Sequence, residues 1–103
     1  MTKRRFYVAT EQEIRDGLVT DVYFERARLA IQARQADKVV VGEMRAGSLP
    51  EGWLWAVLMG LEEVAHLLEG LEIDVWAPPE GTIFHAGDPV LTIEGPYTAF
   101  GCL

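Results

Sequence analysis

An α+β fold is the class this sequence predicts, on three observations. Half of the 103 residues are hydrophobic and 24% are charged, the balance of a folded chain rather than a disordered one. Helix-period segments fill the first third and recur once before Gly70, whereas the remainder is cut by Gly and Pro into short apolar runs of strand length. The length suits one domain spanning 1–103, not two.

The elements follow in order. Thr10-Glu11-Gln12-Glu13 reads as a capping box, opening a short helix that Gly17 ends. Thr20 offers a second N-cap, with Asp21 in the first turn, where the helix dipole favours an anion. From Asp21 to about Ala36 the residues are strong helix formers. Val22, Leu29 and Ala33 fall on one apolar stripe, leaving Arg28, Gln32 and Gln35 for solvent. Lys38–Arg45 is β-branched and short, a strand; Gly47–Gly52, containing Pro50, is a loop. Trp53–Met59 fits a buried strand or a helix, and is assigned here as a strand pairing antiparallel with the one before it. Leu61, Val64, Ala65 and Leu68 have helical spacing up to Gly70. Glu72–Trp76 is a strand that Pro78-Pro79 ends, and Thr82–Phe84 and Pro89–Glu94 are the last strands of a small antiparallel unit. The apolar ending from Pro96 reads as a first helical turn cut short, which points to a chain that is the N-terminal part of something longer.

Charge excludes several functions. The net charge of −7 is unfavourable for phosphate-backbone binding, so no nucleic-acid partner is expected. No apolar run reaches the roughly 20 residues of a membrane span, and the N-terminus lacks the apolar stretch of a signal peptide. A soluble, cytoplasmic protein is expected. Every Lys and Arg lies in residues 1–45, while residues 46–103 carry nine acids and no cation, an asymmetry fitting either a contact surface or a solvated acidic face.

Few residues offer chemistry. There is no Gly-rich phosphate loop. His66 sits beside an apolar helix face and is read as structural; His85 lies on an exposed turn without a second ligand or nucleophile nearby. Trp53, Trp55 and Trp76 read as core or interface residues, Glu62-Glu63 as a helix-start pair, and Cys102 as an inert thiol. Gly81–Gly95 resembles the β-hammerhead half of lipoyl and biotinyl carriers. Those domains present a modifiable lysine, and residues 46–103 have none, so a swinging-arm carrier is excluded.

Two separated motifs, FYVAT…EIRDGLVTDVYFERA and GLEEVAHLLEGLEIDVWAPPEGTIFHAGDPVLTIEGPYTAFG, resemble the start of a nicotinate phosphoribosyltransferase of the shorter bacterial and archaeal type. The likeness covers nearly the whole chain. It implies an α/β-hammerhead-like N-terminal domain with a small antiparallel sheet, one long helix and a barrel-sandwich-like β unit, followed by a barrel expected after residue 103. The implied reaction makes nicotinate mononucleotide from nicotinate and phosphoribosyl pyrophosphate in NAD salvage, using Mg²⁺ and ATP in the full enzyme, neither bound by this part alone. The implied assembly is a homodimer in which this domain covers the partner's site. Thr20, Asp21 and Tyr23 match the family's Thr-Asp-x-Tyr motif as nicotinate-binding residues, with Tyr23 as the ring that stacks on the pyridine. Asp21 is puzzling there, because its carboxylate would repel that of the substrate. No residue here matches the family's phosphorylated histidine, so no catalytic residue is assigned. The N-terminal domain of quinolinate phosphoribosyltransferase is the sister reading, against which the capping box and the Thr20–Phe24 segment argue through resemblance. A stand-alone binding or assembly module is the reading from another class.

Overall fold

The computed structural model describes residues 6–103; Lys3, Arg4 and Arg5 lie outside them. The fold is α+β with antiparallel sheets, in the order α1 (Glu11–Arg15), α2 (Val22–Ala33), β1 (Val39–Arg45), β2 (Ala56–Val57), α3 (Leu61–Leu68), β3 (Asp74–Trp76), β4 (Ile83–Phe84), β5 (Pro89–Pro96) and α4 (Tyr97–Phe100). The chain divides into two compact units, Met1–Val39 with Gly95–Leu103, and Val40–Glu94.

In the first unit the predicted capping box is present. The Thr10 hydroxyl accepts from the Glu13 N–H at 3.1 Å, and the Glu13 carboxylate accepts from the Thr10 N–H at 3.4 Å. Gly17, at φ +73°, then turns the chain. The second helix starts later than predicted: Asp21, not Thr20, is its N-cap, because the Asp21 carboxylate reaches the Tyr23 N–H at 2.9 Å. It also ends earlier, at Ala33 rather than Ala36, with Arg34 as C-cap and Gln35 at φ 50° closing the turn. No residue of α2 is buried, so the stripe expected to face a core faces solvent. The segment from Pro96 does form one helical turn, α4. It is tied back to the chain after α2: Asp37 accepts from both the backbone N–H and the hydroxyl of Thr98, and the Lys38 carbonyl accepts from the Tyr97 N–H at 3.0 Å. The Cys102 thiol donates to the Phe24 carbonyl at 3.6 Å.

In the second unit, a three-stranded sheet has the order β1-β5-β3, with β3 antiparallel to β5 in the register Asp74↔Glu94, Val75↔Ile93 and Trp76↔Thr92. Val90 and Leu91, neighbours on the central strand, are both buried; successive residues point to opposite faces, so β5 is covered on both sides. Leu67 and Leu68 of α3 are also buried, and Leu61 and Ala65 line a groove of about 340 Å³ with Val75 and Leu91.

The strand predicted over Trp53–Met59 is corrected. Only Ala56–Val57 is extended, and it pairs with β4 (Ala56↔Phe84, Val57↔Ile83), not with β1, whose sheet neighbour is β5. Trp53 and Trp55 remain 59% and 53% exposed, so no alternating buried face holds this run against a sheet. The Ala77–Thr82 turn fixes the observed pairing instead: Leu58 donates to the Thr82 carbonyl at 2.9 Å, and Gly81 to the Leu58 carbonyl at 2.8 Å.

Candidate functional site

Thr20, Asp21 and Tyr23 come together at the start of α2. Thr20 is half-buried, whereas Asp21 and Tyr23 are exposed. Asp21 Oδ1 caps the helix through the Tyr23 N–H, which assigns its carboxylate a local structural task. The Tyr23 ring is 72% exposed and stands edge-on to Phe24, with centroids 5.6 Å apart and planes at 84°. That geometry favours one ring orientation at the helix surface while leaving the ring available to a flat ligand.

The sequence pattern misassigned the surrounding surface. Val22 and Leu29 are 61% and 52% exposed, and with Tyr23, Arg26, Ala30 and Ala33 they form an open face of α2. Arg28, assigned to solvent, is half-buried and chelated instead: its guanidinium donates to the Glu25 carboxylate and, at 3.1 Å, to Gln32 Oε1. This hydrogen bond holds the Glu25 carboxyl below its usual range and raises Arg28. The signal that could have separated the two arginines is local. Arg28 has Glu25 three residues before it, whereas Arg26 has no acid at three or four residues in either direction.

The other candidates resolve into structural roles. His85 is exposed, with Nδ1 3.4 Å from Asp88 Oδ2. Asp88 accepts from the His85 backbone N–H at 2.8 Å, the main cause that holds its carboxyl below the usual range. Arg45 binds the Gly87 carbonyl at 3.0 Å and Glu43. His66 Nδ1 lies 3.6 Å from Glu69 within α3. Glu80, which sequence reasoning did not single out, caps α3 with both oxygens, accepting from the Leu61 and Glu62 N–H groups at 3.2 and 3.1 Å. Among the described residues no three His, Cys, Asp or Glu side chains gather to hold a metal ion. The Glu80, Asp88 and Asp21 carboxylates are already engaged with backbone N–H groups. No helix among them is long and apolar enough to cross a membrane.

This small α+β domain has the fold of phosphoribosyltransferase N-terminal domains. The chain belongs to the family of the quinolinate phosphoribosyl transferase N-terminal domain, whose model matches residues 21–103. The match begins at Asp21, so Asp21 and Tyr23 fall inside it and Thr20 just before it. The Asp21–Phe24 part of that segment thus does not argue against a quinolinate-type domain, and the capping box lies before the matched residues. Over 97% of its length the chain is similar to the crystal structure of nicotinate-nucleotide pyrophosphorylase from Pyrococcus furiosus, at 50% identity and a TM-score of 0.86. The fold also matches that of human nicotinic acid phosphoribosyltransferase over 82% of this chain, at 21% identity and a TM-score of 0.70. The chain spans about a quarter of each structure, 26% and 23% respectively.

Proposed function

We propose that this chain is the N-terminal part of a nicotinate phosphoribosyltransferase, which joins nicotinate to phosphoribosyl pyrophosphate to give nicotinate mononucleotide and pyrophosphate on the route to NAD. Its role is to present the Tyr23 ring to the pyridine base, at a site completed by the partner subunit of a homodimer. The observation that carries this reading is the exposed Tyr23 ring, fixed at the start of α2 by the Asp21 cap and by Phe24. The 50% identity to a nicotinate-nucleotide pyrophosphorylase supports the nucleotide, which either pyridine acid could supply. Asp21 acts through the helix rather than on substrate, which removes the difficulty of a carboxylate facing a carboxylate. Mg²⁺ and ATP, expected of the whole enzyme, are held by residues other than these.

The test uses the complete polypeptide that carries this chain. Tyr23→Phe keeps the ring face and leaves the KM for nicotinate within twofold of the parent. Tyr23→Ala removes a stacking contact of about 0.5–1.5 kcal/mol and raises KM about 2- to 13-fold. Equal KM values for both variants and the parent would make Tyr23 a packing residue. The family match equally supports a quinolinate-type domain. Offering both acids to the enzyme separates the readings, because quinolinate must lose carbon dioxide to give the same nucleotide and nicotinate does not.

A further inference from the structure

We infer that the outer edge of β3 is a docking site for an extended, cation-bearing segment of another protein, which adds to the sheet as a strand beside α3. In the order β1-β5-β3, the strand Asp74–Trp76 is outermost, and among the described residues only β5 pairs with it. Alternate residues of such a strand aim their N–H and C=O groups away from the neighbour. None of Asp74, Val75 and Trp76 has another backbone partner among the described residues. Beside this edge lies room for side chains. The register Val75↔Ile93 puts Val75 on the same face of the sheet as Ile93 and Leu91. There the groove of about 340 Å³ between α3 and β3 adjoins a second hollow of about 350 Å³, the two sharing Ala65 and Val75. The walls are mainly aliphatic, Ala65 is exposed and Val75 is 39% exposed.

Charge selects the occupant. Glu62 and Asp74 line these hollows, are exposed, and make no hydrogen bond or ion pair through their carboxylates with any described residue. Residues 46–103 contain no Lys or Arg to offer them. A second copy paired edge to edge would bring the same Asp74 and the same acidic half, so like charge opposes self-pairing. A strand that alternates aliphatic residues with Lys or Arg meets both demands. Its backbone takes the outward groups of β3, and every second side chain enters the groove. The intervening cations stand near Asp74 and Glu62. β3 is only three residues long and Pro78-Pro79 follow it, so the added strand is short and the complex is readily reversible.

The probe is a short acetylated peptide that alternates valine and lysine, carries a fluorophore, and is offered to the complete polypeptide that contains this chain. Anisotropy should show saturable binding that weakens as salt rises, and the β3 amides should exchange more slowly with the peptide bound. Replacing the lysines of the peptide by glutamate, or N-methylating its alternate amides that face β3, should weaken binding about tenfold or more. Asp74→Asn and Glu62→Gln should each weaken the lysine peptide about 2- to 5-fold, as for exposed ion pairs. Ala65→Gln, at an exposed position of α3, should fill the groove and weaken binding about tenfold while the protein melts like the parent. The inference is overturned if the lysine peptide does not bind, or binds no better than the glutamate peptide. It also falls if N-methylation costs nothing, because no strand is then added. Protection of the β3 amides in the peptide-free polypeptide would overturn it as well, since the edge would then be covered by its own chain or by a second copy.

Discussion

Asp21 and Asp37 show one carboxylate chemistry used at two ranges. Asp21 caps the helix two residues away, while Asp37 holds Thr98, 61 positions on, through both its backbone N–H and its hydroxyl. The Thr98 hydroxyl is the main cause that holds the Asp37 carboxyl below the ordinary range. Because the folded value lies below the unfolded one, the stabilisation is complete above the ordinary aspartate value of about 3.9 and disappears as pH falls through the lower folded value. Asp37→Ala should therefore melt several degrees below the parent at neutral pH, with a gap that is constant down to about pH 4 and closes in stronger acid. A gap that instead widens on acidification would show that another group is responsible. Gly101 answers to sterics rather than charge. A Cβ there would lie 2.7 Å from Tyr97 Cζ and 2.9 Å from the Tyr97 carbonyl oxygen. Gly101→Ala should cost about 1–3 kcal/mol in denaturant unfolding, as for overpacking elsewhere.

At the scale of elements, the N-cap position of α3 is Gly60, which has no side chain to cap with and sits at φ 95°. Glu80 supplies the cap from the Ala77–Thr82 turn, accepting from the first two N–H groups of the helix. Glu80→Ala should cost about 0.5–2 kcal/mol, the range for a lost N-cap, and should speed amide exchange at Leu61 and Glu62 before any other part of α3. Equal exchange in parent and variant would mean that water replaces the carboxylate without loss. This cap also marks where reading the sequence stops working. The α1 capping box, α3 with its closing Gly70, and the strand core at Val75 are local patterns, and all three stand where the residues place them. The pairing of Ala56–Val57 with Ile83–Phe84 and the Glu80 cap depend on partners about 20 to 30 positions away, which no local period encodes. The α2 stripe misled for a different reason. Apolar periodicity records that a face is covered or useful, and it does not distinguish a core from a ligand surface.

For the whole molecule, charge decides what the chain can do unaided. Phosphoribosyl pyrophosphate carries several phosphate charges, and a site for it needs Lys or Arg, converging backbone N–H groups, or a metal held by carboxylates. Residues 46–103 have no cation. Among the described Lys and Arg side chains, those of Arg15, Arg28 and Arg45 are paired with acids, leaving Arg26, Arg34 and Lys38 spread over α2, its C-cap and the residue before β1 rather than gathered at a turn. The net charge of −7 adds long-range repulsion. The structures it resembles are about four times as long. These 103 residues alone should therefore form no nicotinate mononucleotide when incubated with nicotinate, phosphoribosyl pyrophosphate, ATP and Mg²⁺. With so many apolar side chains exposed, including Leu54 at 81%, Tyr23 at 72% and Met59 at 71%, they should also self-associate as concentration rises, visible by light scattering. Turnover above a protein-free control would mean that the paired arginines open to bind phosphate. Glu25→Gln, which frees Arg28, should then raise the rate, and Arg28→Gln should abolish it.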